Sequence, residues 1–170
     1  MTSTRISGIT SELRRTYKQL KAPIDLSPIL KNEGIEAITQ DLSNLEEKCN
    51  RKISGLIFVD DTSKTIYING TEILARQRFT LAHELGHYFL HIKGAQKPGS
   101  NIIVSFRGER SQREREADCF AAELLMPEEL VRKKFDETIF PTANEFAEFF
   151  GVSISAMRYR LNEMGLHYIG

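Results

Sequence analysis

The stretch TLAHELGHYFLH, residues 80–91, contains three of the four histidines in the 170-residue chain. Leu81, Leu85, Tyr88 and Phe89 recur in it at helical spacing, so it reads as a helix with an apolar face. On that helix His83 and His87 lie four residues apart and project from nearly one face, where both imidazoles reach a single ion. Glu84 is turned by about 100° from His83, which sets it beside such an ion rather than on it. A hydrolytic zinc site needs these parts: two neutral imidazoles, an open position for water, and a carboxylate to take its proton. The ordinary alternative is a core helix whose histidines pair with neighbours, and for a lone histidine that alternative would stand. Two histidines and a glutamate in this register favour the metal, and Gly86 allows another element or a substrate to come close.

His91 lies one further turn along. Eight residues of straight helix rise about 12 Å, so His83 and His91 are too far apart to grip one ion. His91 is therefore expected to be structural or to support a ligand from behind.

A third donor must come from elsewhere. The run SQREREADCFAAELLMP, residues 111–127, opens a second helix with Glu114, Glu116 and Asp118. Glu114 and Asp118 share a face, whereas Glu116 points about 200° away from Glu114. This suggests Glu114 on the metal and Asp118 behind it, accepting the outer N–H of a ligating histidine, with Glu116 as the alternative ligand. Arg110, Arg113 and Arg115 are interleaved with these acids, so the run taken alone reads as a solvated, salt-bridged helix start.

Together, LAHELGHYFLH (81–91) and REREADCFAAELLMP (113–127) resemble the ImmA/IrrE metallopeptidase family, over roughly residues 25 to 165. The resemblance implies a gluzincin-like site with Zn2+ on His83, His87 and Glu114, and Glu84 as general base. It also implies a protein substrate, a helix-turn-helix transcriptional repressor or antitoxin-like regulator, encoded nearby in mobile elements or stress operons. Some members of the family look more like toxin components or regulators. No pattern ranks the donors that would stabilise an oxyanion, among which Tyr88, His91, Arg78 and Tyr168 are candidates.

The rest of the chain reads as an α+β fold, mostly helical, with a small antiparallel or mixed sheet next to the histidine helix. We expect one metallopeptidase-like domain over 1–170: an N-terminal helix to residue 24, a zinc peptidase core over 25–130 and a C-terminal helical subdomain over 131–170. Ile9, Leu13, Tyr17 and Leu20 give the first helix an apolar stripe and a basic outer face. IDLSPILKNEG predicts a short helix stopped by Gly34, with Asp25 or Ser27 as its cap. IEAITQ (35–40) and NIIVSF (101–106) read as strands, and Leu56–Val59 with Thr65–Asn69 as a hairpin. We expect residues 65–69 to be an open sheet edge where an extended substrate pairs. KGAQKPGS (93–100) reads as a loop.

Lysine plus arginine and aspartate plus glutamate balance at 23 each, so no global field draws the protein to nucleic acid or an anionic membrane. No run approaches the roughly 18 apolar residues that span a bilayer. Cys49 and Cys119 lack CxxC spacing and read as thiols of a cytoplasmic protein. Residues 143–162 have the spacing of a helix-turn-helix, with Ala147, Gly151 and Met157 at its small, turn and core positions. However, residues 142–170 hold two arginines against three glutamates, so a packing or partner-docking role is favoured over DNA. Two classes of function follow: a zinc endopeptidase acting on a regulatory protein, or a non-catalytic toxin or regulator component with structural zinc.

Overall fold

The computed structural model describes residues 2–94, 101–106, 108 and 110–169, so most of the expected loop at 93–100 lies outside the described residues. The fold is α+β, with eight α-helices and one four-stranded sheet among the described residues. By internal packing the chain divides into two compact units. One is residues 26–121; the other joins 1–25 to 122–170, and the division falls within a helix.

In the 26–121 unit, α2 (Ser27–Glu33) stops at Gly34, which adopts φ 63° and whose N–H reaches back to the helix carbonyls. Only glycine takes this left-handed conformation without strain. Its N-cap position is Leu26, between the two residues expected to cap it, Asp25 and Ser27. Next come β1 (Glu36–Gln40), α3 (Ser43–Cys49), β2 (Ile53–Val59) and β3 (Lys64–Asn69). β2 and β3 pair antiparallel as the expected hairpin, and β1 lies parallel to β3. β4 (Asn101–Phe106) pairs antiparallel with the other side of β2, with a register shift between Ile53 and Gly55.

The strand order β1-β3-β2-β4 corrects one expectation: residues 65–69 form an interior strand, and the open edges are β1 and β4. The reason lies in β1, which is mostly exposed and carries almost no apolar signal, yet covers β3 through backbone hydrogen bonds. Along β2 burial alternates, with Ile53, Gly55, Ile57 and Val59 facing inward.

Against β2 and β3 packs α4 (Leu74–His87), which runs on without a break into a π-helical turn, Tyr88–Ile92. α5 (Gln112–Leu125) crosses α4 at Gly86, where a Cβ would stand 3.1 Å from Ala117 Cα and 3.1 Å from Phe120 Cβ. No larger residue fits without pushing the helices apart. Gly86 thus admits a second helix, one of the two uses its sequence position suggested. Phe89 stacks on Phe120 and extends this contact.

In the other unit, α1 (Thr2–Thr16) buries Ile6, Thr10, Leu13 and Arg14, while Leu20 lies beyond the helix and is exposed. Arg14 therefore leaves the basic outer face expected of it; its guanidinium donates to the Glu123 carbonyl at 2.9 Å and pairs with Glu129. α6 (Glu128–Asp136) follows Pro127. α7 (Ala143–Phe150) and α8 (Ile154–Glu163) are joined by a turn in which Gly151 adopts φ 64°. Thr142 and Ser153 cap them through Glu145 N–H and Ala156 N–H, both at 3.2 Å. Ala147 and Met157 are buried, as the helix-turn-helix spacing requires.

Candidate metal centre

α4 presents His83 and His87 on the side that α5 approaches, and the close crossing at Gly86 carries Glu114 up to both rings. The three residues are buried, and one ligating atom from each lies within 4.8 Å of the other two. His83 Nε2 and His87 Nε2 are 3.1 Å apart, Glu114 Oε2 is 3.1 Å from the first, and Glu114 Oε1 is 3.0 Å from the second. Tetrahedral zinc with bonds of about 2.0–2.1 Å requires donors about 3.3 Å apart. Two imidazole nitrogens and a carboxylate at these separations fit Zn2+ to within a few tenths of an ångström.

The electrostatics agree with that fit. Burial works against a charged His83, but Asp118 and Glu114 outweigh it and raise the imidazole to about 10. Burial likewise opposes ionisation of Glu114, while His83 and His87 hold it down to about 2. Without metal, these neighbours favour a protonated His83 beside an ionised Glu114. Asp118 Oδ1 accepts from His83 Nδ1 at 2.8 Å, the placement behind a ligand expected for it.

Glu84 is fully buried, and neither of its carboxylate oxygens has a hydrogen-bond partner among the described residues. Burial raises its carboxyl to about 7, with His83 pulling the other way. A buried carboxylate left without partners is costly, and such groups collect where chemistry needs them. Gly55 of β2 faces it so closely that a Cβ there would lie 3.1 Å from Glu84 Oε1 and 2.6 Å from Thr80 Cγ2. Ser105 of β4, opposite Gly55 in the sheet, also keeps its hydroxyl buried and unpartnered among the described residues, close enough to favour the carboxylate but outside hydrogen-bond geometry.

In front of the cluster opens a cleft of about 190 Å³, lined by His83, Glu114 and Asp118 and by Ser54, Arg76, Phe79, Thr80, Ser105, Phe106 and Gly108. Gly55, Arg76 and Ser105 are contributors that the sequence did not single out. A glycine inside a strand-like run was the one available signal, since it marks close backbone approach.

Glu116 does not join the cluster. It accepts from His91 Nε2 at 2.9 Å, on the other side of α5 from Glu114, so helix phase brings Glu114 and not Glu116 to the two rings. His91 in turn lies 3.2 Å from His87 Nδ1. Of the other oxyanion candidates, the Tyr88 hydroxyl donates to Glu33 at 3.0 Å, Arg78 is a half-buried residue of α4, and Tyr168 belongs to the other compact unit.

Residues 40–162 match the profile of the IrrE N-terminal-like domain, a peptidase family. Among characterised relatives, the chain is 27% identical over 112 residues to metallopeptidase ImmA of Bacillus subtilis, covering 66% of this chain and 64% of that protein. It is 38% identical over 109 residues to the radiation response metalloprotease IrrE of Deinococcus radiodurans, covering 61% of this chain and 32% of that protein. The matched stretches thus span less than two thirds of either relative. With the profile extending over most of its length, and through both the histidine helix and the helix that brings Glu114 to it, the chain belongs to the ImmA/IrrE peptidase family.

Proposed function

We propose that the protein is a zinc-dependent endopeptidase in which His83, His87 and Glu114 hold the ion and Glu84 is the general base. The observation that carries this reading is the convergence of three buried donor atoms from two helices, with an unpartnered, fully buried carboxylate next to them. Bound Zn2+ would supply Lewis acidity and lower the pKa of a water molecule. Glu84, buried beside these donors with no hydrogen-bond partner among the described residues, would accept the proton of such a water and pass it to the leaving amine. In the metal-free protein burial holds this carboxyl above the ordinary carboxylate range, with His83 opposing the shift. Asp118 fixes the His83 ring with Nε2 directed at the ion.

An extended substrate needs a sheet edge beside the cleft, and β4 offers one: it is an edge strand, and its Ser105 and Phe106 line the cleft. Ile102, 61% exposed on that strand, lies in the substrate's path on this reading. Ile102→Asp should raise KM for a protein substrate without changing zinc content; an unchanged KM would move the substrate off β4.

For substrate identity, we infer a helix-turn-helix repressor or antitoxin-like regulator. The support is the family resemblance of the two motifs; the names of the two relatives, a metallopeptidase and a radiation response metalloprotease, support the peptidase activity alone. Incubating the protein with the helix-turn-helix regulator encoded beside it should yield discrete fragments. Glu84→Gln should keep about one zinc and produce none. If that variant retained the full biological effect, the zinc would be structural and the protein a non-catalytic partner-binding component.

A further inference from the structure

We propose that His91 and Glu116 form a positioning relay that orients the His87 imidazole toward the metal, resting on the reading of His87 as a zinc ligand. His87 is completely buried, and its Nε2 faces His83 Nε2 and Glu114 Oε1 at 3.1 and 3.0 Å. A neutral imidazole offering Nε2 to an ion carries its proton on Nδ1. That N–H meets His91 Nδ1 at 3.2 Å, so His91 must accept there and keep its own proton on Nε2. Nε2 of His91 then donates to Glu116 Oε2 at 2.9 Å. The other oxygen of Glu116 accepts from Gln112 Nε2 at 3.0 Å, which anchors the end of the chain.

Each donor along this path has one acceptor, and only one pair of tautomers satisfies all of them. The direction is set by the carboxylate, which cannot donate when ionised. Reversing either ring would set two N–H groups or two lone pairs against each other in a buried place.

The backbone is shaped for the same purpose. The turn carrying His91 is π-helical and closes with Lys93 N–H on the Tyr88 carbonyl at 2.7 Å, five residues back. Such turns are rare and concentrate at functional sites. The side chains of His91 and Glu116 are 7% and 22% exposed, whereas Asp118, which does the same work for His83 in one step, is 60% exposed. The two imidazoles are therefore oriented by different devices, one a surface carboxylate and the other a buried imidazole backed by a carboxylate.

The test compares His91→Leu, His91→Asn and Glu116→Gln with the wild type, measuring zinc affinity by chelator competition and the visible bands of the Co2+-loaded proteins. Asparagine places an oxygen near the position of Nδ1 and can still accept from His87, whereas leucine keeps bulk but cannot. His91→Leu should weaken zinc about 10- to 100-fold and shift the Co2+ bands, and His91→Asn should restore most of both. Wild-type affinity in His91→Leu, or equal losses in the leucine and asparagine variants, would overturn the relay and leave His91 a packing residue. If His91→Leu does not fold, Glu116→Gln decides: weaker zinc with shifted bands supports the relay, and unchanged values overturn it. A wild-type protein that binds no zinc would overturn the relay together with the functional reading beneath it.

Discussion

At the scale of single residues, Glu84 carries the sharpest consequence. Its carboxyl is raised by burial from 4.5 to about 7, so the folded protein keeps a proton that the unfolded chain releases between those pH values. Stability of the metal-free protein must then fall as pH rises through that window, and above it the buried charge costs about 3 kcal/mol. Glu84→Gln removes the charge and nearly preserves the shape. Metal-free denaturation curves should show the variant equal to wild type near pH 4.5 and more stable at pH 8; a variant less stable at pH 8 would contradict this account of the residue. Asp118 supports a separate prediction. Because Asp118 supports the charge of the buried His83, Asp118→Ala should lower the melting of the metal-free protein at neutral pH as well as lowering zinc affinity about tenfold or more. Chelator competition beside a thermal melt separates the two effects. That His83 and His87 share a face with Glu84 turned beside them was legible from spacing alone, because helix geometry fixes which side chains lie together. That Glu114 rather than Glu116 lies against these rings followed from the same phase argument. The partners of His91 were not, since a π-helical turn departs from the α-helical angles on which that reading depends.

At the scale of elements, the decisive contact is the crossing of α4 and α5 at Gly86. A Cβ there would meet Ala117 Cα and Phe120 Cβ at 3.1 Å, backbone-proximal atoms that cannot swing aside. Gly86→Ala gains about 1 kcal/mol of helix propensity but must separate the helices, an overpacking cost of about 1–3 kcal/mol. We expect a net loss of stability and, because Glu114 rides on the displaced helix, a loss of zinc affinity out of proportion to it. Both are read from one titration of zinc against the melting transition. Wild-type affinity in the Gly86→Ala variant would show that the close approach does not set the donor geometry. Sequence reading recovered the hairpin and both site helices but missed α3. That helix is polar apart from Leu45 and Cys49 and is tied down by a buried acid: Glu46 accepts from the Ile53 N–H at 2.9 Å and pairs with Lys52 at 2.7 Å. Hydrophobic periodicity cannot register an element held in this way. The interior place of β3 was hidden for a related reason, because the strand that covers it buries almost nothing.

At the scale of the molecule, the chain balances its charges, and the surface of the C-terminal helices is less basic than its sequence suggests. Arg160 is 4% exposed and committed to Glu123 and Glu163, both at 2.7 Å, and to the Met126 carbonyl at 3.0 Å. Removing it from the count leaves Arg158 as the exposed arginine of α8. A helix-turn-helix spacing with so little exposed positive charge fits packing or protein docking, and duplex DNA should bind only at the non-specific level, about 10⁻⁴–10⁻⁶ M. A tighter, steeply salt-dependent complex would refute this. No helix among the described residues is long and apolar enough to cross a membrane. The α+β class was legible because strand-like and helix-like periods alternate clearly from residue 53 onward. The two-unit division was not, since it joins the first helix to the last three and to the end of α5 across nearly a hundred residues of sequence, a pairing no local pattern encodes. X-ray absorption at the zinc edge of the loaded wild-type protein tests the central claim most directly, since it counts the donors on the ion. We predict scattering from two imidazoles and from oxygen at about 2.0–2.1 Å, with no sulfur. A third imidazole, a sulfur neighbour, or the same spectrum from Glu114→Gln and wild type would contradict a site built from His83, His87 and Glu114.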